Sequence, residues 1–168
     1  MAAFVTEKNA VLVGVSFGGL VAQEMSVFLE LKKLIIISSI KTKFELSLKF
    51  KLTGVLKLYK LIPTSLFLTS KTYISFALGP ISEKRFKMYQ KYLHVRDKVY
   101  LDWAIKNMLC WKREKALSGV YHIHGDRDQV FPIANIKNTI TIAGGSHIMV
   151  LTRGSVMSQK IVDIINHN

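Results

Sequence analysis

The sequence has one cysteine, Cys110, three prolines, and only eleven acidic residues against twenty-four Lys and Arg in 168 positions. A single thiol cannot close an internal disulfide, and its isolation fits a reducing compartment, so a cytoplasmic location is expected. Long hydrophobic runs are also missing. The nearest approach, 48–68, is interrupted by Lys49, Lys51, Lys57, Lys60 and Pro63, which excludes a transmembrane helix of about twenty residues. No basic stretch with a small-residue cleavage site precedes the first apolar run, so no signal peptide is expected. The shortage of acid leaves a net charge of +13. The lysines are spread singly, as at Lys41, Lys43, Lys49 and Lys51, without interleaved arginine and aromatic residues. This pattern reads as a solvated surface, and no nucleic-acid partner is expected.

What the chain does have is apolar residues, 49% of the total, enough to exclude disorder and to build one core. Ala10–Val15 is a dense apolar run, the reading of a strand buried on both faces. Phe17–Leu31 reads as a helix, with Leu20, Val21, Met25, Phe28 and Leu29 at spacings of three and four. Leu34–Ile37 is a second buried strand, which completes a βαβ unit and requires a parallel sheet. From about Ile40 to Ala116 the texture becomes helical. Phe86, Tyr89 and Leu93 share a face after Pro80 and an N-cap at Ser82, and Tyr100, Trp103, Ala104, Met108 and Trp111 form another. Residues 44–52 alternate apolar and polar, but their helical neighbours favour helix. Trp103 and Trp111 read as core, and Cys110 as packing on an apolar helix.

Gly119–His124 returns to strand and runs into the loop HGDRDQVFP. Thr139–Ile142 is a short strand closed by GGSH, and Val150–Ile165 a final helix turning Ile161, Ile164 and Ile165 inward. The expected fold class is α/β, a parallel sheet of about four strands flanked by helices. One domain spans 1–168, with a core of 1–39 and 117–168 and a helical insertion at 40–116.

Gly14-Val15-Ser16-Phe17-Gly18 matches G-x-S-x-G between a buried strand and a helix. A sharp turn there would raise Ser16 off the sheet edge, and Gly14 and Gly18 would leave room for neighbouring backbone. The helix start behind it offers partial positive charge, with the Phe17 N–H as an oxyanion donor. Glycine-rich turns of this kind also cradle phosphates. A dinucleotide fingerprint needs glycine where Ser16 stands, however, and a P-loop needs Gly-Lys-Ser/Thr, which is absent. A serine nucleophile also needs an imidazole and a carboxylate to orient it. Asp126 and Asp128 follow one strand end and His147 follows the next. His122 and His124 read as structural, and the few remaining histidines leave no metal site expected.

In GVSFGG (14–19), HGDRDQVFP (124–132) and GGSH (144–147) the chain resembles the α/β-hydrolases, with the same order of serine, acid and histidine. The resemblance implies Ser16 as nucleophile, His147 as general base and acid, and Asp128 rather than Asp126 as its partner, because the family's acid stands three residues after the glycine. It implies hydrolysis of a small-molecule ester through an acyl-serine intermediate, without a cofactor, and makes the helical insertion 40–116 a cap over the acyl or alcohol pocket. It also implies several strands ahead of the elbow strand and a loop supplying a second oxyanion donor, whereas only nine residues precede Ala10. The chain is therefore expected to be the C-terminal portion of such a fold. The alternative is a non-catalytic fragment or binding module. An exposed edge strand inviting self-association and a lysine-rich segment at 44–62 able to meet a membrane surface are further expectations.

Overall fold

The computed structural model describes residues 1–61, 64, 82–92 and 97–167. In chain order the elements are β1 (Ala10–Val15), α1 (Phe17–Ser26), β2 (Leu31–Ile37), α2 (Leu48–Val55), α3 (Glu83–Tyr92), α4 (Lys98–Leu109), β3 (Val120–Gly125), β4 (Ile140–Ile142), α5 (Met149–Thr152) and α6 (Gly154–Asn166). Among the described residues one short 3-10 turn, Ala2–Phe4, precedes β1 and three more lie between later elements. The chain divides into two compact units, one formed by 1–46 with 112–168 and the other by 47–111.

In the first unit the four strands form one parallel sheet in the order β1-β2-β3-β4. β2 is buried from Leu34 to Ile37, because helices cover both sides of an inner parallel strand. Alternate residues Ile35, Ile37, Ile123 and Ile142 pack with Met149, Met157 and Ile164. Ile161 and Ile165 lie against the same cluster, as their helical spacing with Ile164 predicts. α1 packs on β1 and β2, burying Gly19, Leu20, Ala22 and Gln23.

Several sequence expectations need correction. β1 is not buried on both faces, since Val13 and Val15 are 42% and 40% exposed. Among the described residues β1 pairs with β2 alone, so an apolar run that suits an inner strand sits at an edge. α1 ends at Ser26 rather than Leu31, and Phe28 is exposed in the turn that follows. That turn lets β2 begin at Leu31, so that the consecutive Lys32 and Lys33 belong to the strand. The C-terminal helix is interrupted at Arg153, although the Arg153 N–H still reaches the Met149 carbonyl. Lys41 is buried rather than solvated. Its ammonium donates to the Lys137 and Asn138 carbonyls, and its backbone N–H donates to Glu45 Oε2. Burial raises the Glu45 carboxyl above its ordinary range.

In the second unit α2 is capped by Ser47, whose hydroxyl accepts from the Phe50 N–H, and α4 by Asp97. Segment 44–52 thus contains the end of the 3-10 turn Lys43–Glu45 and the start of α2. Trp103 is exposed rather than core, and Cys110 is exposed one residue beyond α4. α3 begins after Ser82, but Pro80 and Leu93 lie outside the described residues, as does the Tyr89 side chain.

The contrast between strands gives a test. Ile35→Ala should cost about 2–5 kcal/mol in urea unfolding through the cavity it leaves, whereas Val13→Thr should cost less than about 1 kcal/mol.

Candidate active site

Parallel pairing brings the carboxyl ends of the strands into line, with Val15 opposite Ile37, Ile37 opposite Ile123, and Gly125 opposite Ile142. Loops leaving that edge of an open parallel sheet are where ligands of α/β folds bind. Ser16 follows β1, Asp128 follows β3 and His147 follows β4, so three residues far apart in sequence share one edge.

Ser16 has φ 53° and ψ −123°, a backbone conformation of about 1–3 kcal/mol strain that persists only when its surroundings hold it. The Ser16 N–H donates to the Ile37 carbonyl at 2.9 Å, continuing the β1–β2 ladder. The Ser16 carbonyl accepts the Gly19 N–H at 2.9 Å and the Ser39 hydroxyl at 2.8 Å. Both backbone groups are thus fixed, which leaves the side chain as the part of Ser16 free to meet another loop. Phe17 opens α1 directly behind it, at the positive end of the helix dipole.

The glycine requirement differs from expectation in one respect. At Gly14 a Cβ would overlap the Gly18 carbonyl and lie 2.7 Å from the Gly19 Cα, so the close approach expected there is present. At Gly18 a Cβ would meet nothing among the described residues. The second crowded position is Gly19, where a Cβ would run into the Ser39 side chain. The pattern G-x-S-x-G points to Gly18, but the neighbour that decides the matter, Ser39, comes from the end of β2 and is not visible in a local motif.

The Ser16 Oγ lies 2.9 Å from His147 Nε2. His147 Nδ1 lies 2.9 Å from Asp128 Oδ2 and 3.2 Å from Oδ1. Asp128 is buried, and its Oδ1 also accepts the N–H groups of Val130 and Phe131, each at 2.9 Å. With both carboxyl oxygens acting as acceptors, the imidazole proton resides on Nδ1 and the lone pair of Nε2 faces the serine hydroxyl. The Phe131 ring stands edge-on to the imidazole with centroids 5.5 Å apart. Asp126 is exposed, and its N–H donates to the Ile142 carbonyl.

A second layer holds the acid loop. Gly125 and Gly145 bring the two loops into backbone contact, since a Cβ on Gly125 would overlap the Gly145 carbonyl. The Arg127 N–H donates to that same carbonyl at 2.9 Å. His124 Nε2 lies 2.8 Å from the Phe131 carbonyl. Burial lowers the His124 pKa, so the ring is neutral with its proton on Nε2. Its Nδ1 then accepts from His122 Nε2 at 3.1 Å. His122 is held down to a pKa of about 3, by burial first and then by His124 and the Lys41 ammonium. Among the described residues no three His, Cys, Asp or Glu side chains gather as metal ligands.

No protein-family model and no curated protein sequence matches the chain. Solved structures do. An esterase from Exiguobacterium antarcticum aligns with TM-score 0.62 at 16% identity over 95% of this chain and 68% of its own. An epoxide hydrolase from Bacillus megaterium aligns with TM-score 0.67 at 13% identity over 99% and 72%. A bromoperoxidase from Bacillus anthracis aligns with TM-score 0.63 at 19% identity over 95% and 68%. The likeness is one of fold, and the chain spans about 70% of the length of these neighbours.

Two measurements check this geometry. Gly14→Ala should cost about 1–3 kcal/mol by forcing backbone apart. Gly18→Ala, in the first turn of α1 with open space around it, should be neutral or stabilising by up to about 1 kcal/mol. The second concerns pH. Folded His122 stays neutral to about pH 3, while in the unfolded chain it takes up a proton near its ordinary 6.5. The unfolded state therefore binds the extra proton, and stability falls as pH drops from about 6.5 toward 3. Between pH 7 and 5 His122 alone accounts for about 2 kcal/mol. In urea unfolding the decline should be shallower by that amount in His122→Phe.

Proposed function

We propose that this chain, whose fold is that of the α/β-hydrolases, is a serine hydrolase acting on a small-molecule ester. One observation carries the reading: the continuous hydrogen-bonded chain from Ser16 Oγ through His147 to buried Asp128, with both links at 2.9 Å. The spacing supports passage of a proton from the hydroxyl to the imidazole.

In this mechanism Ser16 Oγ attacks the acyl carbon while its proton passes to His147 Nε2. The imidazolium that forms is stabilised by Asp128, which already fixes the ring through Nδ1. Negative charge developing on the carbonyl oxygen is met by the Phe17 N–H at the head of α1. Collapse breaks the ester bond, and His147 returns its proton to the departing alkoxide. Water then attacks the acyl-serine by the same route in reverse, regenerating Ser16 and releasing the acid. The strained backbone at Ser16 supports the reading, because strain of this kind persists where geometry is held for chemistry. A serine at this position favours acyl transfer, although the fold neighbours include an epoxide hydrolase and a bromoperoxidase and a fold hosts many reactions.

A second reading, a binding module without turnover, is favoured by the exposure of Val13 and Val15 on β1, which borders Ser16. Hydrolysis of p-nitrophenyl butyrate separates the two. The enzyme reading predicts turnover that Ser16→Ala abolishes. Asp128→Asn should lower kcat by about 10²–10⁴ through the wrong imidazole tautomer, with little change in KM. A Ser16→Ala variant as fast as wild type overturns the enzyme reading, and a folded wild-type chain with no turnover favours the module.

A further inference from the structure

Helix α2 turns its apolar side outward. Leu48, Leu52, Val55 and Leu56 share one face by helical spacing, and they are 71%, 50%, 78% and 62% exposed. The opposite side carries buried Gly54, packed so closely on α4 that a Cβ would lie 2.6 Å from the Leu109 carbonyl. A surface helix of a globular domain presents the reverse arrangement, and contiguous exposed aliphatic surface marks a contact site. Lysines border this face. Lys49 and Lys51 lie to either side of it, and Lys57 and Lys60 follow in the segment that ends at exposed Leu61.

Charge is concentrated in the same unit. Residues 47–111 contain twelve Lys and Arg against three Asp and Glu, so nine of the chain's thirteen net positive charges lie there. On α4, Trp103 is also exposed, the residue type that settles at the boundary between lipid headgroup and acyl chain.

We propose that residues 48–61 dock on an anionic lipid surface. The leucine face of α2 enters the acyl boundary, and the flanking lysines extend their stems along it to reach headgroup phosphates. Among the described residues no helix is long and apolar enough to cross a membrane, so the segment lies in the plane of the interface. A polyanion without an apolar phase would leave the leucines unexplained. A second copy of the chain would bring two strongly cationic units face to face, which costs association. The inference does not depend on the chemistry of Ser16.

The test uses the full chain with vesicles of phosphatidylcholine alone or with 30% phosphatidylglycerol, a composition set at about physiological anionic content. Cosedimentation should show binding to the anionic vesicles, weaker by at least about tenfold on neutral ones and falling as salt is raised. Trp103 emission should shift to the blue on binding. Leu48→Ser with Leu52→Ser should weaken binding by about tenfold or more. Lys49→Glu should weaken it by about fivefold or more. All three side chains are exposed, so the melting temperature should stay near that of wild type and report that folding is intact. No binding, binding equal on both vesicles, or binding that the folded leucine variant retains overturns the proposal. So does a dimer that the leucine variant dissociates while vesicles remain unbound.

Discussion

Gly14 and Gly125 stand at or next to the carboxyl ends of β1 and β3, and at each a second stretch of backbone comes within the radius of a methyl group. At Gly14 it is the first turn of α1, which lets the chain reverse sharply enough to give Ser16 its positive φ. At Gly125 it is the loop carrying Gly145, which sets the distance between the acid and the histidine. From the segments so held, the side chains make both links at 2.9 Å. The site thus depends on two contacts that contain no functional group.

Around those contacts the polar groups are arranged to leave one proton on offer. Asp128 spends one oxygen on the N–H groups of its own loop, which fixes the carboxyl before it meets His147. His124 holds the same loop from behind through the Phe131 carbonyl, and burial keeps it neutral, so it adds no competing charge beside the acid. Lys41 ties the end of β2 to the loop entering β4 through the Lys137 and Asn138 carbonyls. The first two devices hold the loop that carries Asp128, and the third braces the segment between Asp128 and β4.

Much of this was legible in the sequence, and the boundary is instructive. Ala10–Val15, Ser16 and the start of α1 are read from local signals: an apolar run, a glycine pair and helical spacing. Standing just past a strand in a parallel sheet brings Asp126, Asp128 and His147 to that edge, and the choice of Asp128 over Asp126 came from the resemblance to the α/β-hydrolases. What escaped the sequence depends on neighbours far away in it. Gly19 rather than Gly18 is crowded because Ser39 arrives from another strand. Lys41 is buried because carbonyls almost a hundred residues later receive it. Val13 and Val15 are exposed because burial of a strand depends on what lies beside it. The alternation at 44–52 hides the face of α2 that Leu48, Leu52 and Leu56 share, and no periodicity says which way such a face looks.

The central claim is that Ser16 is the nucleophile, activated by His147. Treatment of the folded chain with a fluorophosphonate, followed by intact mass measurement and peptide mapping, tests it most directly. The account predicts one adduct per chain, located on Ser16, with a rate that collapses in His147→Ala. Folded protein that stays unlabelled, or an adduct on any other residue, contradicts it.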